Sequence, residues 1–151
     1  MIKQGPGRLL AGAPAAFAIT VSDPGTITGY NLSVRDVLPA GVSYVPGSTT
    51  PIGAGEPEVV ADSPTLGITT LLWFNVDDVV AGGASTIGYR VIPDPGAYPV
   101  GSTFINTADS FVNASPRNVP RFDSTGAPVL GSYTGSATAS STTTIIALQI
   151  S

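Results

Sequence analysis

Cysteine and histidine are both absent from the chain. Their absence removes disulfides, thiolate nucleophiles, catalytic triads that use imidazole, and every zinc or iron site built on sulfur or imidazole. Charge is scarce as well: Asp, Glu, Lys and Arg make up 11% of the residues and the formal net charge is −4. The six basic residues are dispersed, which leaves no electrostatic footprint for nucleic acid or an anionic membrane. No apolar run is long enough to cross a bilayer. The start, Met1 followed by IKQGPGRLL, lacks the charged head, apolar middle and cleavage site of a signal peptide. If the natural protein is exported, this chain is then expected to be a fragment excised from a longer, multi-domain protein. Helical patterning is missing too: no window keeps apolar residues at helical spacing among good helix formers.

What is present fits a β protein. Gly 18 and Pro 14 are scattered through the sequence among many Thr, Ser and Val, a pattern of short strands and frequent turns. The hydrophobic content of 42% argues against disorder, and 151 residues are enough to bury the core of a single domain. A first strand is expected at Met1 to Gln4, broken by Gly5-Pro6-Gly7 and resumed at Arg8 to Ala11, and a second through Phe17, Ile19 and Val21. Others follow at Ile27 to Leu38, Val42 to Val45, Glu58 to Ala61 and Gly67 to Val76. Residues 77 to 83 read as a turn-rich connection, Ser85 to Ile92 alternates through Ile87, Tyr89 and Val91, and Thr103 to Val112 and Thr134 to Leu148 close the series. The expected fold is all-β, an antiparallel β-sandwich of about eight or nine strands over residues 1–151. Two irregular segments, Pro46 to Pro57 and Ser115 to Ser132, interrupt it.

The most informative stretch is Tyr30 to Tyr44, YNLSVRDVLPAGVSY. Leu32, Val34, Asp36 and Leu38 share one parity, so Asp36 is expected to face inward with the apolar residues. Pro39 and Gly41 should end the strand directly afterwards. An ionised carboxylate in such a row is costly unless it is paired.

The order of motifs FAITVSDPG, NLSVRDVLPAGVSYVPGS, LLWFNVDDVVAGGASTIGYRV and FINTADSF resembles the DUF11 family, Ig-like repeats of bacterial and archaeal surface proteins. The resemblance covers Lys3 to about Leu148 and is most specific at Asp36-Leu38-Pro39-Gly41 and Asn106-Thr107-Ala108. It departs from the family at the Ser115–Ser132 insert and at Ser22-Asp23, where an Asn is commoner. The resemblance implies an Ig-like, extracellular stalk or adhesin module at the cell surface, monomeric and beside neighbouring domains of the same chain. It implies a non-enzymatic structural role with no cofactor. Related fimbrial and adhesin domains place a Lys in the first strand, an acid in mid-domain and an Asn in a late strand, and these form an intramolecular isopeptide bond. By motif position the matching residues are Lys3, Asp36 and Asn106.

The chemistry asked of such a triad is coherent. Burial favours the neutral amine of Lys3 and the protonated form of Asp36. Asp36 is then expected to donate to the amide oxygen of Asn106 while the amine attacks, and to pass a proton to the departing ammonia. Simpler roles stand beside this one. Lys3 is also read as a solvated charge near a terminus, Asp36 as an acceptor for backbone N–H groups at its turn, and Asn106 as a partner for a nearby loop.

The alternative function is a binding module whose 46–57 and 115–132 loops grip a host or surface glycan or protein. Other candidates are weaker. Asp62 and Asp77-Asp78 offer oxygen atoms for Ca²⁺ without the spacing of a calcium loop, and read as turn acids. No pair of carboxylates stands out for glycoside hydrolysis, and Asp123-Ser124-Thr125-Gly126 is a poor match to an aspartic-protease turn. Asn31-Leu32-Ser33 and Asn113-Ala114-Ser115 fit the short glycosylation sequon. Trp73, in an apolar run, reads as core.

Overall fold

The computed structural model describes residues 1–116, 122–125, 127 and 133–148. Among the described residues its elements are one short 3-10 turn (Ile52–Ala54) and ten strands: β1 (Ile2–Gln4), β2 (Arg8–Leu10), β3 (Ala15–Ser22), β4 (Gly29–Leu38), β5 (Val42–Tyr44), β6 (Glu58–Ala61), β7 (Thr69–Val79), β8 (Ala84–Pro93), β9 (Thr103–Asn113) and β10 (Gly135–Ile146). The strands form two sheets, ordered β1-β3-β8-β5 and β2-β10-β9-β4-β7-β6. Every pairing is antiparallel except that of β2 with β10. The Ig-like sandwich expected from the sequence is therefore the fold. It has ten strands rather than eight or nine because Gly5-Pro6-Gly7 does not merely interrupt one N-terminal strand. Proline cannot continue a ladder, and the break carries the chain from the four-stranded sheet to the edge of the six-stranded one.

Alternation along each strand builds the core. The four-stranded sheet supplies Phe17, Ile19, Val21, Ile87, Tyr89 and Val91, and the six-stranded sheet supplies Leu32, Val34, Leu38, Leu71, Trp73, Phe104, Ala108 and Ile145. In β4 the expected parity holds: Leu32, Val34, Asp36 and Leu38 are all buried.

One strand outruns its expected limits. β7 continues through Asp77 and Asp78 to Val79, where the sequence suggests a turn. Asn31 and Asn75 adopt positive φ (56° and 47°), and the β4–β7 register shifts between Gly29 and Leu32 and again between Leu32 and Val34. These irregularities absorb the extra length, since a bulge lets one strand carry an additional residue without losing the ladder. Asn tolerates left-handed backbone better than most residues. The acids serve local backbone: Asp78 accepts from the Asn31 N–H (2.9 Å), Asp77 from the Asp78 N–H (2.9 Å), and Asp62 from the Gly67 N–H (2.8 Å).

A second apolar cluster lies apart from the main core. Leu72, Phe111 and Phe122 are buried together, with Val60, Phe74 and Tyr133 against them. Phe122 meets Phe74 and Phe111 edge-on, at centroid distances of 5.1 and 5.5 Å, a favoured arrangement for aromatic pairs. Of the 115–132 segment, residues 117–121, 126 and 128–132 lie outside the described residues, so the ligand-gripping role considered for that loop is not addressed by them.

Beside this cluster Arg35 pairs with Asp109 at 2.7 Å, with side chains 22% and 20% exposed, and its guanidinium sits 5.9 Å from the Phe111 ring centroid. Partly exposed pairs of this kind are screened and contribute little. Asp109→Asn is expected to lower stability by about 1 kcal/mol or less, with the difference shrinking further in high salt. Urea unfolding at low and high ionic strength checks this, and an effect that salt leaves unchanged would contradict it.

Candidate functional site

The residues singled out by motif position come together between the two sheets. Lys3 is the middle residue of β1, with Ile2 and Gln4 exposed on either side of it. It lies opposite Ile19 of β3, and its parity turns it into the sandwich, where its side chain has no exposure. Asp36 sits near the end of β4, opposite Ala108 of β9 and Leu71 of β7. Asn106 lies in β9 with the parity of Phe104 and Ala108, all three buried. Lys3 thus comes from the four-stranded sheet, whereas Asp36 and Asn106 come from the six-stranded sheet.

The contacts converge on one carboxylate oxygen. Lys3 Nζ is 2.8 Å from Oδ2 of Asp36. Asn106 Nδ2 donates to the same Oδ2 at 3.4 Å. A fourth group joins them: the Tyr89 hydroxyl donates to Oδ2 of Asp36 in a short contact and accepts from Asn106 Nδ2 at 3.3 Å. Lys3 Nζ also lies 5.3 Å from the Phe17 centroid and 5.7 Å from that of Tyr89, so the walls of the site are aromatic. Asp36 Oδ1, Asn106 Oδ1 and Trp73 Nε1 are buried without a hydrogen-bond partner among the described residues.

The electrostatics follow from burial. Removal from water pushes the Lys3 ammonium below its usual 10.5, and the attraction of Asp36, with a smaller one from Asp109, only partly opposes this. Burial likewise pushes the Asp36 carboxyl above its usual 3.8, opposed by Lys3 and by the hydrogen bond from Asn106 and reinforced by Asp109. Both shifts act in the direction of moving the proton from amine to carboxylate. Asp36 therefore does not serve its turn, and Lys3 is not a solvated terminal charge.

In one respect the arrangement differs from that expected from sequence. The amide presents Nδ2, not Oδ1, to Asp36. The acid is thus placed at the nitrogen that would leave, rather than at the carbonyl oxygen. Tyr89 is the residue that sequence reasoning missed. Its signal was present, since a tyrosine in the apolar row Ile87-Tyr89-Val91 must bring its hydroxyl into the core, where it needs a partner. Nothing in the sequence says which partner.

The remaining candidates have local roles. Tyr44 and the Gly47 N–H both donate to Glu56 Oε2, at 2.7 and 3.0 Å. Tyr44 also shares a 2.8 Å hydrogen bond with Thr49, and Thr50 bridges to Gly88 of β8. The 46–57 loop is thereby tied to its own sheet. Asp123 accepts from the Thr125 and Ala127 N–H groups at 2.8 and 3.1 Å. Asn113 of the second sequon is buried, whereas Asn31 is half-buried. Trp73 is 1% exposed in the main core.

No family model matches the chain, and no curated protein matches it in sequence. Solved structures do. The chain is similar to the collagen-binding domain from a Staphylococcus aureus adhesin, at 8% identity and a TM-score of 0.48, over 94% of this chain and 95% of that one. It is also similar to AvmM, described as catalysing macrocyclization in alchivemycin A biosynthesis, at 10% identity and a TM-score of 0.52, over 99% and 90%. A third likeness is to ACE19, the collagen-binding subdomain of the Enterococcus faecalis surface protein ACE, at 11% identity and a TM-score of 0.44, over 95% of both chains. At such identities these likenesses speak to the fold alone.

Proposed function

We propose that the chain is a structural module of a cell-surface protein whose two sheets are joined by an autocatalytic isopeptide bond between Lys3 and Asn106, with Asp36 as acid–base. The observation that carries this reading is the convergence of a buried lysine, a buried acid and a buried asparagine at one point between the sheets. An ion pair alone is weak support for stability, because desolvating two charges cancels much of their attraction. A core that instead spends such a pair on a covalent bond removes both the amine's charge and the cost of burying it.

The reaction needs no cofactor. A proton passes from the Lys3 ammonium to Asp36, leaving a free amine. The amine nitrogen attacks Cγ of Asn106 and forms a tetrahedral adduct. Asp36 gives its proton to Nδ2 and takes one from the attacking nitrogen. The C–Nδ2 bond then breaks and ammonia leaves. The product is a secondary amide, and Asp36 ends as the protonated acid, having gained one proton overall from the Lys3 ammonium. Folding supplies the proximity, so each chain reacts once.

The benefit is mechanical and thermodynamic. β1 is a three-residue edge strand held by three register pairs, and it would peel first under load applied at the N-terminus. A bond from Lys3 into β9 would tie it to the opposite sheet and, unlike a disulfide, would survive reduction. The module would sit outside the cell among neighbouring domains of a longer chain. The ligand-gripping alternative has less behind it, since the polar groups of the 46–57 loop are engaged within the loop and its own sheet.

Intact mass of the denatured chain tests the reading. Wild type is expected to be short by one ammonia, and Lys3→Ala and Asp36→Ala are each expected to have the full calculated mass. Wild type at full mass would overturn it.

A further inference from the structure

Three hydrogen-bonding groups of the site form a closed ring. Tyr89 donates to Asp36 Oδ2, Asn106 Nδ2 donates to Tyr89, and Asn106 Nδ2 also reaches Asp36 Oδ2 directly. The direct link, at 3.4 Å, and the Asn106–Tyr89 link, at 3.3 Å, both lie just beyond the usual N–H···O range of about 2.7–3.2 Å, so either must tighten as the adduct forms. The route through the phenol consists of a short contact and a 3.3 Å link. A hydroxyl can donate on one side while it accepts on the other. Tyr89 is also held in place by its neighbours, with its ring 5.2 Å from Trp73 and 6.0 Å from Phe17, and it is 2% exposed.

Resting on the isopeptide reading above, we propose that Tyr89 is a further catalytic residue of the cross-linking reaction, relaying the proton from Asp36 to the departing Asn106 nitrogen. In the resting site the Tyr89 hydrogen points to Asp36. Once Asp36 has taken the Lys3 proton and the amine has added to Cγ, Nδ2 is no longer a flat amide nitrogen but a basic amine. With Asp36 now the donor, the phenol O–H turns from Asp36 toward Nδ2, and two hydrogens shift together: that of Asp36 moves to the Tyr89 oxygen, and that of Tyr89 moves to Nδ2. Tyr89 stays neutral, Nδ2 gains the proton it needs to leave as ammonia, and Asp36 is freed to take a proton from the attacking nitrogen. No oxidant or second reactant is involved. The charged groups that bear on the ring are Lys3 from β1, Asp36 itself from β4 and, at longer range, Asp109 from β9, which is neutralised by Arg35.

Tyr89→Phe keeps the ring and removes the relay. The experiment follows newly made full-length chain from cell-free synthesis, quenched at intervals in acidic denaturant, and reads intact mass over a range of pH. Loss of one general acid–base group typically slows a reaction by about a hundredfold or more, so Y89F is expected to lose its ammonia at least tenfold more slowly than wild type. The pH profile should change as well. The reactive site holds one proton between Lys3 and Asp36, so the rate falls at low pH when both are protonated. Without the phenol donating to it, the carboxylate is less stabilised, and this acid limb should move to higher pH. A variant that merely packs less well would be slower without moving the limb.

Y89F that cross-links as fast as wild type overturns the relay and leaves the isopeptide reading intact. Wild type that never loses ammonia overturns both. Should Y89F fail to reach the folded state, as judged by emission from buried Trp73, site-specific 3-fluorotyrosine at position 89 takes its place. A rate that does not respond to the more acidic phenol would overturn the relay.

Discussion

Lys3→Met is expected to produce a full-mass chain that unfolds well below wild type. A bond from residue 3 to residue 106 closes a loop of about a hundred residues. By the chain-entropy treatment used for disulfides, it stabilises the folded state by on the order of 4–5 kcal/mol. For a domain of this size each kcal/mol moves the midpoint by about 2–4 °C, so a fall of roughly 10–20 °C is expected. Methionine keeps most of the apolar stem that Lys3 places between Phe17 and Tyr89, so little of the loss should come from packing. Asn106→Leu should reach a similar midpoint by a different route, since it removes the other end of the same bond. The double variant should then cost little more than either single one, as two changes that abolish one interaction do not add. Full additivity of the two losses, measured by calorimetry, would show that neither acts through a shared bond.

Asp36→Ala should be the most damaging change in a chain that cannot cross-link. In an Asn106→Leu background, removing the carboxylate leaves the Lys3 amine buried with no counter-ion, and such a change costs about 3–5 kcal/mol near neutral pH. Lys3→Met in the same background should recover much of that loss. The pH dependence has a definite sign. Lys3 has its pKa lowered on folding, so its burial cost is full below the folded value and fades as pH rises toward its usual 10.5. Asp36 has its pKa raised, so it stabilises below its usual 3.8, and that contribution is lost as pH rises through the folded value. Measured against the Lys3→Met/Asp36→Asn pair in the same background, the ionisable pair should therefore be least favourable around neutrality and improve toward either extreme. Asp36→Ala should retain only the alkaline improvement. Urea unfolding across pH tests this, and a pair most favourable at neutrality would contradict it.

These expectations depend on positions that were unequally visible beforehand. Asp36 was legible because strand parity is local: residues two apart share a face, and Pro39 with Gly41 fixes where the strand stops. The inward parity of Asn106 with Phe104 and Ala108 was legible for the same reason. Lys3 was not visible by pattern, since a three-residue strand carries almost no periodicity, and only motif position singled it out. The extension of β7 past Val76 was hidden by two acids that normally mark a turn, because the paired irregularities that accommodate them involve residues more than forty positions apart.

The sequence by itself determined the all-β class, the alternation that fills the core, the exclusion of thiol and imidazole chemistry, and the inward carboxylate. All of these follow from residue types and from spacings within one strand. Only the tertiary structure decided that Lys3 and Asp36 meet at 2.8 Å, that Tyr89 closes the ring with Asn106, and that the amide nitrogen faces the acid. It also placed Phe122 against Phe111 in a second cluster. Each of these depends on strand order and on how two sheets are laid face to face, a result of many weak long-range contacts that no single segment encodes.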